Sequence, residues 1–368
     1  MVSPDQESSG ARSSRTFPYY RFRGSHRQIG QQYGEACAGL IERHLELAQE
    51  RLKTWVEVPT QEALMEAVMH YRTYVQRYAP YFDEEIQGIA EGANITLAEA
   101  YLLQLRAEIY RNFQPNNECT TFAVSSQATS NGIPLIGQNA DLPHFYSEIG
   151  VVVEFVPDDQ PACLMFAPAG QVSYIGINNL GLGVFANFLT CDGWRFGFPR
   201  YMLSRYALTC SSTVEEAIQA VRSLHRASSR NLIMMDRFGH AADLETIPTT
   251  DALLLPDDGI LVHSNHFIGS DLQKEERLSG HQLVNSRIRQ SRMKELLVGR
   301  KGELNADVMQ DILRDRQTYP HTLSAMPEDD GTDNMTVASV IAEPGEGRLW
   351  IAVGPPHQYN YKMYAFSN

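Results

Sequence analysis

The stretch Asn117-Glu118-Cys119-Thr120-Thr121-Phe122 divides the chain into two halves of different character. The segment that leads into it, Gln114-Pro115-Asn116-Asn117, cannot easily continue a helix, because proline lacks an amide hydrogen and asparagine favours turns. The segment after Cys119 is rich in residues that favour strands. We predict that the peptide bond between Glu118 and Cys119 is cut in the mature protein, which makes Cys119 a new amino terminus.

Length and charge limit the classes of protein to which the chain can belong. It has 368 residues, of which 43% are hydrophobic and 20% charged, so it can bury a core of its own. The formal net charge of −13 argues against nucleic acid or an anionic membrane surface as a partner, because phosphate binding needs basic patches. Apolar runs stay well below the ~20 residues of a membrane helix. We therefore expect neither a nucleic-acid partner nor a membrane.

The amino-terminal residues and the cysteines indicate the cellular compartment of the protein. The first fifteen residues, Met1 to Arg15, are rich in Ser, Gly and Arg and lack an apolar stretch, which predicts a disordered leader rather than a signal peptide. The five cysteines are odd in number and widely scattered, which favours free thiols over a disulfide framework or a metal site. They are Cys37, Cys119, Cys163, Cys191 and Cys210. We expect a reducing, cytoplasmic location.

Helical spacing dominates residues 16 to 114. Apolar residues at three- and four-residue steps predict one helix from His26 to about Arg51 and another from Leu64 to Tyr78. A third covers Asp83 to Ala90. The fourth begins with the capping box Thr96-Leu97-Ala98-Glu99 and runs to about Phe113.

The second half is dense in strands. Short β-rich runs separated by Gly, Pro, Asn and Asp turns predict the strands Thr120–Ser125, Leu135–Gln138, Gly150–Phe155, Cys163–Phe166, Val172–Ile177, Leu182–Phe188, Asn231–Met235, Ala241–Glu245, Gly259–Asn265, Met335–Ile341 and Leu349–Val353. Helices are predicted at Tyr201–Leu208, from Thr213 to about Leu224, at Leu283–Leu297, and after Asn305. Helices grouped between blocks of strands indicate an α+β fold with largely antiparallel sheets.

Cys119 is a candidate nucleophile. A thiolate attacks well, but it needs a lowered pKa or a base beside it. If the chain is cut before Cys119, the freed α-amino group, whose unperturbed pKa is ~8, lies on the same residue and can take the thiol proton. A turn at Asn131-Gly132 brings Asp141 back toward Cys119, where the carboxylate can hold or orient the amine. Two plainer interpretations stay open: Cys119 as a buried, inert strand residue, and Asp141 as a turn residue.

The stretch His263-Ser264-Asn265-His266 is the second candidate. Two histidines three apart suggest a metal, but on a strand this spacing places the imidazoles on opposite faces, and no carboxylate or cysteine lies nearby at ligand spacing. We expect no metal site. Asn265 is interpreted as an oxyanion donor, because a side-chain amide at a strand end suits that role. Asn187 is another oxyanion candidate, with a polar strand end as its plainer interpretation.

Several motifs in order resemble a known family. The order Cys119-Thr120-Thr121, Gly137-Gln138-Asn139-Ala140-Asp141 and His263-Ser264-Asn265-His266, behind a helical region, resembles the acyl-CoA:6-aminopenicillanic acid acyltransferases, also called isopenicillin N acyltransferases, which are N-terminal nucleophile hydrolases. The resemblance spans roughly Tyr19 to Tyr364 and includes Gly88-Ile89-Ala90-Glu91-Gly92 and Gly354-Pro355-Pro356.

The resemblance implies a four-layer αββα sandwich that matures by self-cleavage. A leader of residues 1–15 would precede a helical fragment, 16–118, and a catalytic fragment, 119–368, and the two fragments would stay associated. Cys119 would attack the Glu118 carbonyl during processing and an amide or thioester during turnover. The site roles that follow from the resemblance are Asp141 as the active-site aspartate and Asn265 as the oxyanion donor. We further predict Asn187 as a catalytic residue, and Gln138, Asn139 and His266 as substrate-binding residues.

The implied substrate is a small amide, such as an N-acyl amino acid, a peptide or a β-lactam-like compound. No cofactor is expected, and acyl-CoA is a possible co-substrate. Gln138 stands where bile-salt hydrolases and penicillin V acylases carry arginine, which favours the acyltransferase-like branch. The arginine expected near the penultimate strand is missing from Gly331 to Ser339. The alternatives are a pure hydrolase of the bile-salt, penicillin V or acyl-homoserine-lactone type, and an inactive binding protein.

Overall fold

The computed structural model describes residues 11–53, 60–109 and 119–367, apart from the side chains of Lys53, Arg106 and Asp330. The predicted cleavage partner Glu118, the polar peptide before it and the last residues of the predicted fourth helix lie outside these ranges. Of the predicted leader, residues 1–10 also lie outside them. Ser13 is described and exchanges backbone hydrogen bonds with Gln358 and Asn360.

Most of the predicted helices are present, with different bounds. Within the described ranges the α-helices are α1 (His26–Ala36), α2 (Ala38–Lys53), α3 (Gln61–Tyr78), α4 (Pro80–Ala93), α5 (Leu97–Gln104), α6 (Arg106–Ile109), α7 (Leu203–Cys210), α8 (Val214–Arg222), α9 (Gly280–Gly299), α10 (Ala306–Leu313) and α11 (Pro327–Asp330). Both predicted capping boxes, Thr96 with Glu99 and Thr213 with Glu216, are formed. None of the described helices is both long and apolar enough to cross a membrane.

Two sheets contain all the strands of the described chain. The strands are β1 (Tyr19–Gly24), β2 (Thr120–Val124), β3 (Leu135–Pro143), β4 (Gly150–Pro157), β5 (Cys163–Pro168), β6 (Ile175–Asn178), β7 (Gly183–Asn187), β8 (Arg230–Met235), β9 (Ala241–Thr246), β10 (Asp251–Leu254), β11 (Ile260–His263), β12 (Asn334–Glu343), β13 (Arg348–Val353) and β14 (Tyr361–Ala365). One sheet has the order β1-β4-β5-β6-β7-β8-β9-β10 and the other the order β11-β2-β3-β12-β13-β14. Every pairing within them is antiparallel except β1 with β4.

Three apolar clusters show how the layers are stacked. One joins the first five helices, α7 and α8 to the outer face of the eight-stranded sheet, and includes Ile29 and Val184. A second lies between the two sheets and includes Ala123 and Ile233. A third joins α9 and α10 to the outer face of the six-stranded sheet and includes Met293. The predicted α+β fold with four layers, αββα, is therefore confirmed.

The structure corrects the sequence analysis for one helix and adds three strands. The single helix predicted from His26 to Arg51 is two helices, because the backbone leaves the helical region at Cys37, whose N–H caps α1 by bonding Tyr33. The strands β1, β10 and β14 were not predicted. Each is an edge strand or pairs with one, and its exposed residues break the apolar pattern on which strand prediction rests.

Glycines let α1 and α4 lie in direct backbone contact. A Cβ added at Gly88 would lie 2.3 Å from the Arg27 carbonyl oxygen, and one at Gly30 would lie 2.0 Å from the Glu85 carbonyl oxygen. Backbone atoms of a packed helix cannot move aside as a flexible side chain can. The close approach of these two helices therefore depends on glycine.

Gly88→Ala is expected to destabilise the protein by about 1–3 kcal/mol or more, because the methyl group must push α1 away from α4. Gly39→Ala is the matched control, since Gly39 is exposed in α2 and a Cβ there meets nothing within 4 Å. We expect Gly39→Ala to be neutral or to stabilise by up to about 1 kcal/mol. Chemical denaturation measures both, and equal effects of the two substitutions would contradict the packing argument.

Candidate active site

Cys119 lies just before β2, with its side chain 2% exposed. Antiparallel pairing sets Thr120 opposite Asn139, and this register brings the end of β3 beside Cys119. The Cys119 Sγ lies 3.8 Å from the backbone oxygen of Asp141 and donates to it. The hairpin reasoning from the sequence therefore placed Asp141 correctly, although a short 3-10 turn, Ser126–Ala128, lengthens the connection.

Two side chains hold the backbone of Cys119. Arg289 donates from Nη1 to the Cys119 carbonyl oxygen at 2.8 Å and to Thr120 Oγ1 at 2.7 Å. The Ser264 hydroxyl donates to the same carbonyl oxygen at 3.1 Å. These bonds fix the orientation of Cys119 on the side away from Glu118.

Arg289 is a site residue that the sequence analysis missed. It lies on α9 and is 1% exposed, and its Nε donates to Asn285 Oδ1 at 2.6 Å, one helical turn earlier. Its Nη2 donates to Asn265 Oδ1 at 2.9 Å. A signal was present: Asn285, Arg289, Met293 and Leu297 recur every four residues on the buried face of the helix. An arginine on the buried face of a helix is unusual and indicates a specific buried partner.

The thiol of Cys119 is protonated in the uncut chain. Burial, together with the nearby Asp141 carboxylate, raises the pKa of Cys119 to about 11, while Arg230 and Arg289 act in the opposite direction. The Asp141 carboxylate is itself fully buried, and its Oδ1 accepts from Thr336 Oγ1 at 2.6 Å. The candidate site thus contains a protonated thiol, and the charged side chains around it shift the pKa of that thiol in opposite directions.

The two asparagines interpreted as oxyanion donors both lie near Cys119, but their amides differ. Asn265 Nδ2 donates to the Phe188 carbonyl at 3.2 Å, its one acceptor among the described residues, so one amide hydrogen remains. Asn187 Nδ2 donates to Thr121 Oγ1 at 3.0 Å and to the Ser264 carbonyl at 2.8 Å, which uses both hydrogens. The arrangement favours Asn265 as the donor and gives Asn187 the geometry of a cross-sheet support.

His263 belongs to a buried charged cluster rather than to a metal site. Its Nε2 lies 2.8 Å from Glu245 Oε1 and its Nδ1 2.7 Å from the Ser264 carbonyl, so both nitrogens face acceptors. Burial alone lowers the pKa of His263, but Asp243 and Glu245 overcome this and raise it to about 9. Within the described chain, no group of three or more His, Cys, Asp or Glu side chains is arranged to hold a metal ion.

His266 corrects the reasoning about the two histidines. β11 ends at His263, so His266 lies in the loop beyond it, and the alternation of a strand does not apply to this pair. The imidazole of His266 contacts Ser286 Oγ at 2.8 Å. Burial, with the charge of His263, lowers its pKa to about 4, so it is neutral at neutral pH.

The other two predicted substrate-binding residues face opposite sides of β3. Gln138 lies between the sheets, where its Oε1 accepts from the Ala186 backbone at 3.1 Å. Asn139 faces the outer helices, and its amide donates to the carbonyls of Leu313 and Leu323 at 3.0 and 2.7 Å. Asn139 therefore ties α10 and the loop after it to the sheet. Within the described residues, no hydrogen bond joins either side chain to Cys119, and their role in substrate binding stays a prediction.

Comparison with known proteins identifies relatives of this chain. The family model described as "Acyl-coenzyme A:6-aminopenicillanic acid acyl-transferase" matches residues 128–358, a range that includes Asp141, Asn187 and Asn265 but begins after Cys119. The chain is 26% identical over 337 residues to the 40 kDa form of acyl-coenzyme A:6-aminopenicillanic-acid-acyltransferase from Emericella nidulans. That alignment covers 91% of this chain and 92% of the fungal protein.

Solved structures with partial similarity come from two bacteria. The conjugated bile acid hydrolase from Clostridium perfringens matches with a TM-score of 0.48 and 14% identity, over 68% of this chain and 97% of that one. Penicillin V acylase from Agrobacterium tumefaciens matches with a TM-score of 0.43 and 15% identity, over 64% of this chain and 83% of the other.

Proposed function

Because the chain belongs to the acyl-coenzyme A:6-aminopenicillanic acid acyl-transferase family, we propose that it is a self-processing cysteine N-terminal nucleophile enzyme that transfers or hydrolyses an acyl group of a small amide. The observation that carries the proposal is the convergence of Arg289 on the Cys119 carbonyl and on the Asn265 amide oxygen. One buried cation thereby fixes the candidate nucleophile and the candidate oxyanion donor relative to each other.

The proposed maturation step moves one acyl group. The Cys119 sulfur attacks the carbonyl carbon of Glu118, and the Cys119 nitrogen leaves and takes a proton, so that an amide becomes a thioester. Water then hydrolyses the thioester, which releases the Glu118 carboxylate and restores the thiol. The products have 118 and 250 residues.

After cleavage, Cys119 carries both a nucleophile and a base. Its α-amino group, with an unperturbed pKa of ~8, can take the thiol proton at neutral pH. Asp141, whose backbone oxygen lies 3.8 Å from the sulfur, would orient this amine through its carboxylate. The remaining amide hydrogen of Asn265 would stabilise the negative oxygen of the tetrahedral intermediate, an interaction that commonly accounts for 10²–10³-fold in rate.

Turnover would repeat the same chemistry on a separate molecule. Cys119 attacks the acyl carbonyl, an amine or thiol leaves, and the acyl-enzyme is resolved by water or by an amine. An acyl-CoA would enter as an acyl donor, and no cofactor is required for any step. Acyl transfer above hydrolysis when an amine acceptor is supplied would distinguish a transferase from a pure hydrolase of the bile-salt, penicillin V or acyl-homoserine-lactone type.

The two fragments are expected to stay together. β1, from the first fragment, hydrogen-bonds along β4, from the second. Glu85 of the first fragment forms a fully buried ion pair with Arg205 of the second, with Oε1 to Nη2 at 2.8 Å. Separating the fragments would expose their shared apolar cluster to water, which is strongly unfavourable.

Intact-mass analysis tests the proposal before any substrate is known. We expect two species that separate in denaturant and co-elute in native gel filtration. An unchanged full-length chain that also fails to turn over every member of an amide and thioester panel would favour the inactive binding protein instead.

Self-cleavage is expected to accelerate as pH rises. With the pKa of Cys119 at about 11, the thiolate fraction increases nearly tenfold per pH unit between pH 7 and pH 8.5. The rate can be followed by diluting denatured precursor into buffers of different pH and sampling by mass spectrometry. A rate that stays flat or falls would contradict attack by the thiolate.

The deprotonation of His263 sets the upper pH limit of the self-cleavage experiment. Its pKa in the folded protein, about 9, lies above the unfolded value of ~6.5. The stability it contributes is therefore complete below pH ~6.5 and is lost as pH rises through about 9. A folding control at each pH separates slower chemistry from lost structure.

A further inference from the structure

Two buried arginines, Arg200 and Arg230, lie beside the candidate active site. Arg230 is the first residue of β8 and is 2% exposed, and Arg200 lies in the turn before α7 and is fully buried. The Glu108 carboxylate reaches this region, but it accepts from the backbone N–H of Arg200 at 2.9 Å and from the Ser228 hydroxyl at 2.8 Å. Among the described residues, no hydrogen bond joins a carboxylate to either guanidinium.

The guanidinium groups keep unused donors. Of the described residues, none accepts a hydrogen bond from Nε or Nη2 of Arg230, or from Nε of Arg200. Arg200 has only long bonds, to the Ser229 carbonyl at 3.3 Å and the Tyr201 hydroxyl at 3.2 Å. Arg226, another buried arginine, shows the contrast: its three nitrogens donate to three backbone carbonyls at 3.0 to 3.2 Å.

Aromatic rings cover the faces of both guanidinium groups. The Arg230 guanidinium lies 4.9 Å from the Tyr201 ring centre and 5.9 Å from that of Tyr174. The Arg200 guanidinium lies 4.1 Å from the Phe188 ring centre and 5.3 Å from that of Trp194. Rings on the faces leave the N–H edges as the only surface for a polar partner, and a planar carboxylate suits these edges best.

Strand pairing places this cluster next to the nucleophile. Asn231, which follows Arg230, pairs with Asn187, whose side chain bonds Thr121 two residues after Cys119. The carbonyl of Phe188, whose ring covers Arg200, accepts from Asn265. The charge of Arg230 also lowers the pKa of the Cys119 thiol, against the larger effect of burial.

Two guanidinium cations in an apolar setting are costly to bury when, among the described residues, no carboxylate is hydrogen-bonded to them. Burial and the neighbouring charge of Arg200 lower the pKa of Arg230. A bound anion at the two guanidinium groups would offset both the cost of burying these charges and the repulsion between them. Such an arrangement is typical of a ligand site rather than of a structural ion pair, because a structural pair would include its own carboxylate.

We propose that Arg230, with Arg200, forms a carboxylate-binding subsite that selects amide substrates carrying a carboxylate group near the bond that Cys119 attacks. The proposal rests on the proposed function and narrows its substrate class. The carboxylate can belong either to the amine part, as in an N-acyl amino acid, or to the acyl part, as in a glutaryl amide. The two sources share the same recognition chemistry.

Matched substrate pairs test the subsite on the processed enzyme. One arm compares N-acylglycines of several acyl chain lengths with the corresponding N-acylglycinamides. The other arm compares N-glutaryl anilide with N-pentanoyl anilide. We expect kcat/KM to be at least tenfold higher for the carboxylate member in one arm, which also identifies the part of the substrate that carries the charge.

Substitutions at Arg230 then test whether this arginine causes the preference for a carboxylate substrate. Arg230→Gln is expected to lower kcat/KM for the carboxylate member by about 10- to 100-fold more than for the neutral member. Arg230→Lys should keep part of the preference, because it retains the charge but not the two-pronged geometry. The control Arg226→Gln removes a buried arginine whose three nitrogens each donate to a backbone carbonyl, and it should leave the preference unchanged.

The outcomes separate this inference from the proposed function. Equal turnover of both members by the unsubstituted enzyme, or an equal loss on both in Arg230→Gln, overturns the subsite and leaves the proposed function standing. If the enzyme turns over neither member, calorimetry with the N-acylglycines and with N-glutaryl anilide decides. Binding that weakens at least tenfold in Arg230→Gln or Arg230→Lys supports the subsite, and unchanged or absent binding overturns it.

Discussion

Replacing Cys119 with alanine is expected to leave a single chain of 368 residues and to reduce acyl-transfer activity to background. The proposed cleavage needs the sulfur as nucleophile, and a methyl group offers no alternative. Loss of a nucleophile in a comparable enzyme lowers turnover by roughly 10⁶-fold. Intact-mass analysis shows whether the chain remains uncut, and a substrate panel measures the acyl-transfer activity.

Cys163→Ala is the matched control for that substitution. Cys163 is equally buried, its pKa is also raised to about 11, chiefly by burial, and its Sγ also lies 3.8 Å from a backbone carbonyl, that of Pro161. It lies in β5, and no buried arginine touches its backbone in the described structure. We expect normal processing and turnover. Cleavage that persists in Cys119→Ala would show that another group cuts the chain, and equal loss in both variants would point to folding.

Arg289→Met is expected to slow both self-cleavage and turnover by on the order of 10²-fold or more. Arg289 donates to the Cys119 carbonyl, to Thr120 and to Asn265, and each such charged hydrogen bond contributes about 1.5–3 kcal/mol. Methionine preserves most of the buried volume, so packing changes little. Arg292→Met is the control, because Arg292 lies on the same helix but pairs with Asp315, and we expect activity within about twofold.

Two further measurements separate positioning by Arg289 from a general loss of stability. If Arg289 acts through Asn265, the double variant Arg289→Met, Asn265→Ala should be little slower than the slower single variant. The charge of Arg289 also lowers the pKa of Cys119, so its removal should shift the pH dependence of self-cleavage toward higher pH. Fully additive losses of rate in the double variant, together with an unchanged pH dependence of self-cleavage, would contradict a positioning role for Arg289.

Much of the fold could be predicted because its signals are local. The capping boxes at Thr96 and Thr213 and the cap at Asn305 use side chains within three residues of the groups they satisfy. Alternation in β2 sends Phe122 toward the helices and Ala123 toward the other sheet. Edge strands such as β14 were missed because their exposed residues break the apolar alternation.

The candidate site also contains features that the sequence could predict and features that it could not. Cys119 and Asp141 could be placed together because they flank one hairpin, whose register follows from strand alternation. The sequence also suggested both asparagines as oxyanion candidates and favoured Asn265, because Asn187 could be explained as a polar strand end, but it could not show which amide hydrogens are free. The ranking depends on which amide hydrogens are already used, and that is decided by contacts with Phe188, Thr121 and Ser264.

The sequence by itself thus determined the boundary at Cys119, the helical and strand-rich halves, and the candidate nucleophile with its aspartate. Only the tertiary structure decided that Arg289 holds the candidate nucleophile and that, within the described residues, no carboxylate is hydrogen-bonded to the buried guanidinium groups of Arg200 and Arg230. The physical reason is that an arginine in a sequence is ordinarily a solvated surface charge. Whether it is instead buried, and which acceptors it meets, depends on the packing of helices and sheets from distant parts of the chain.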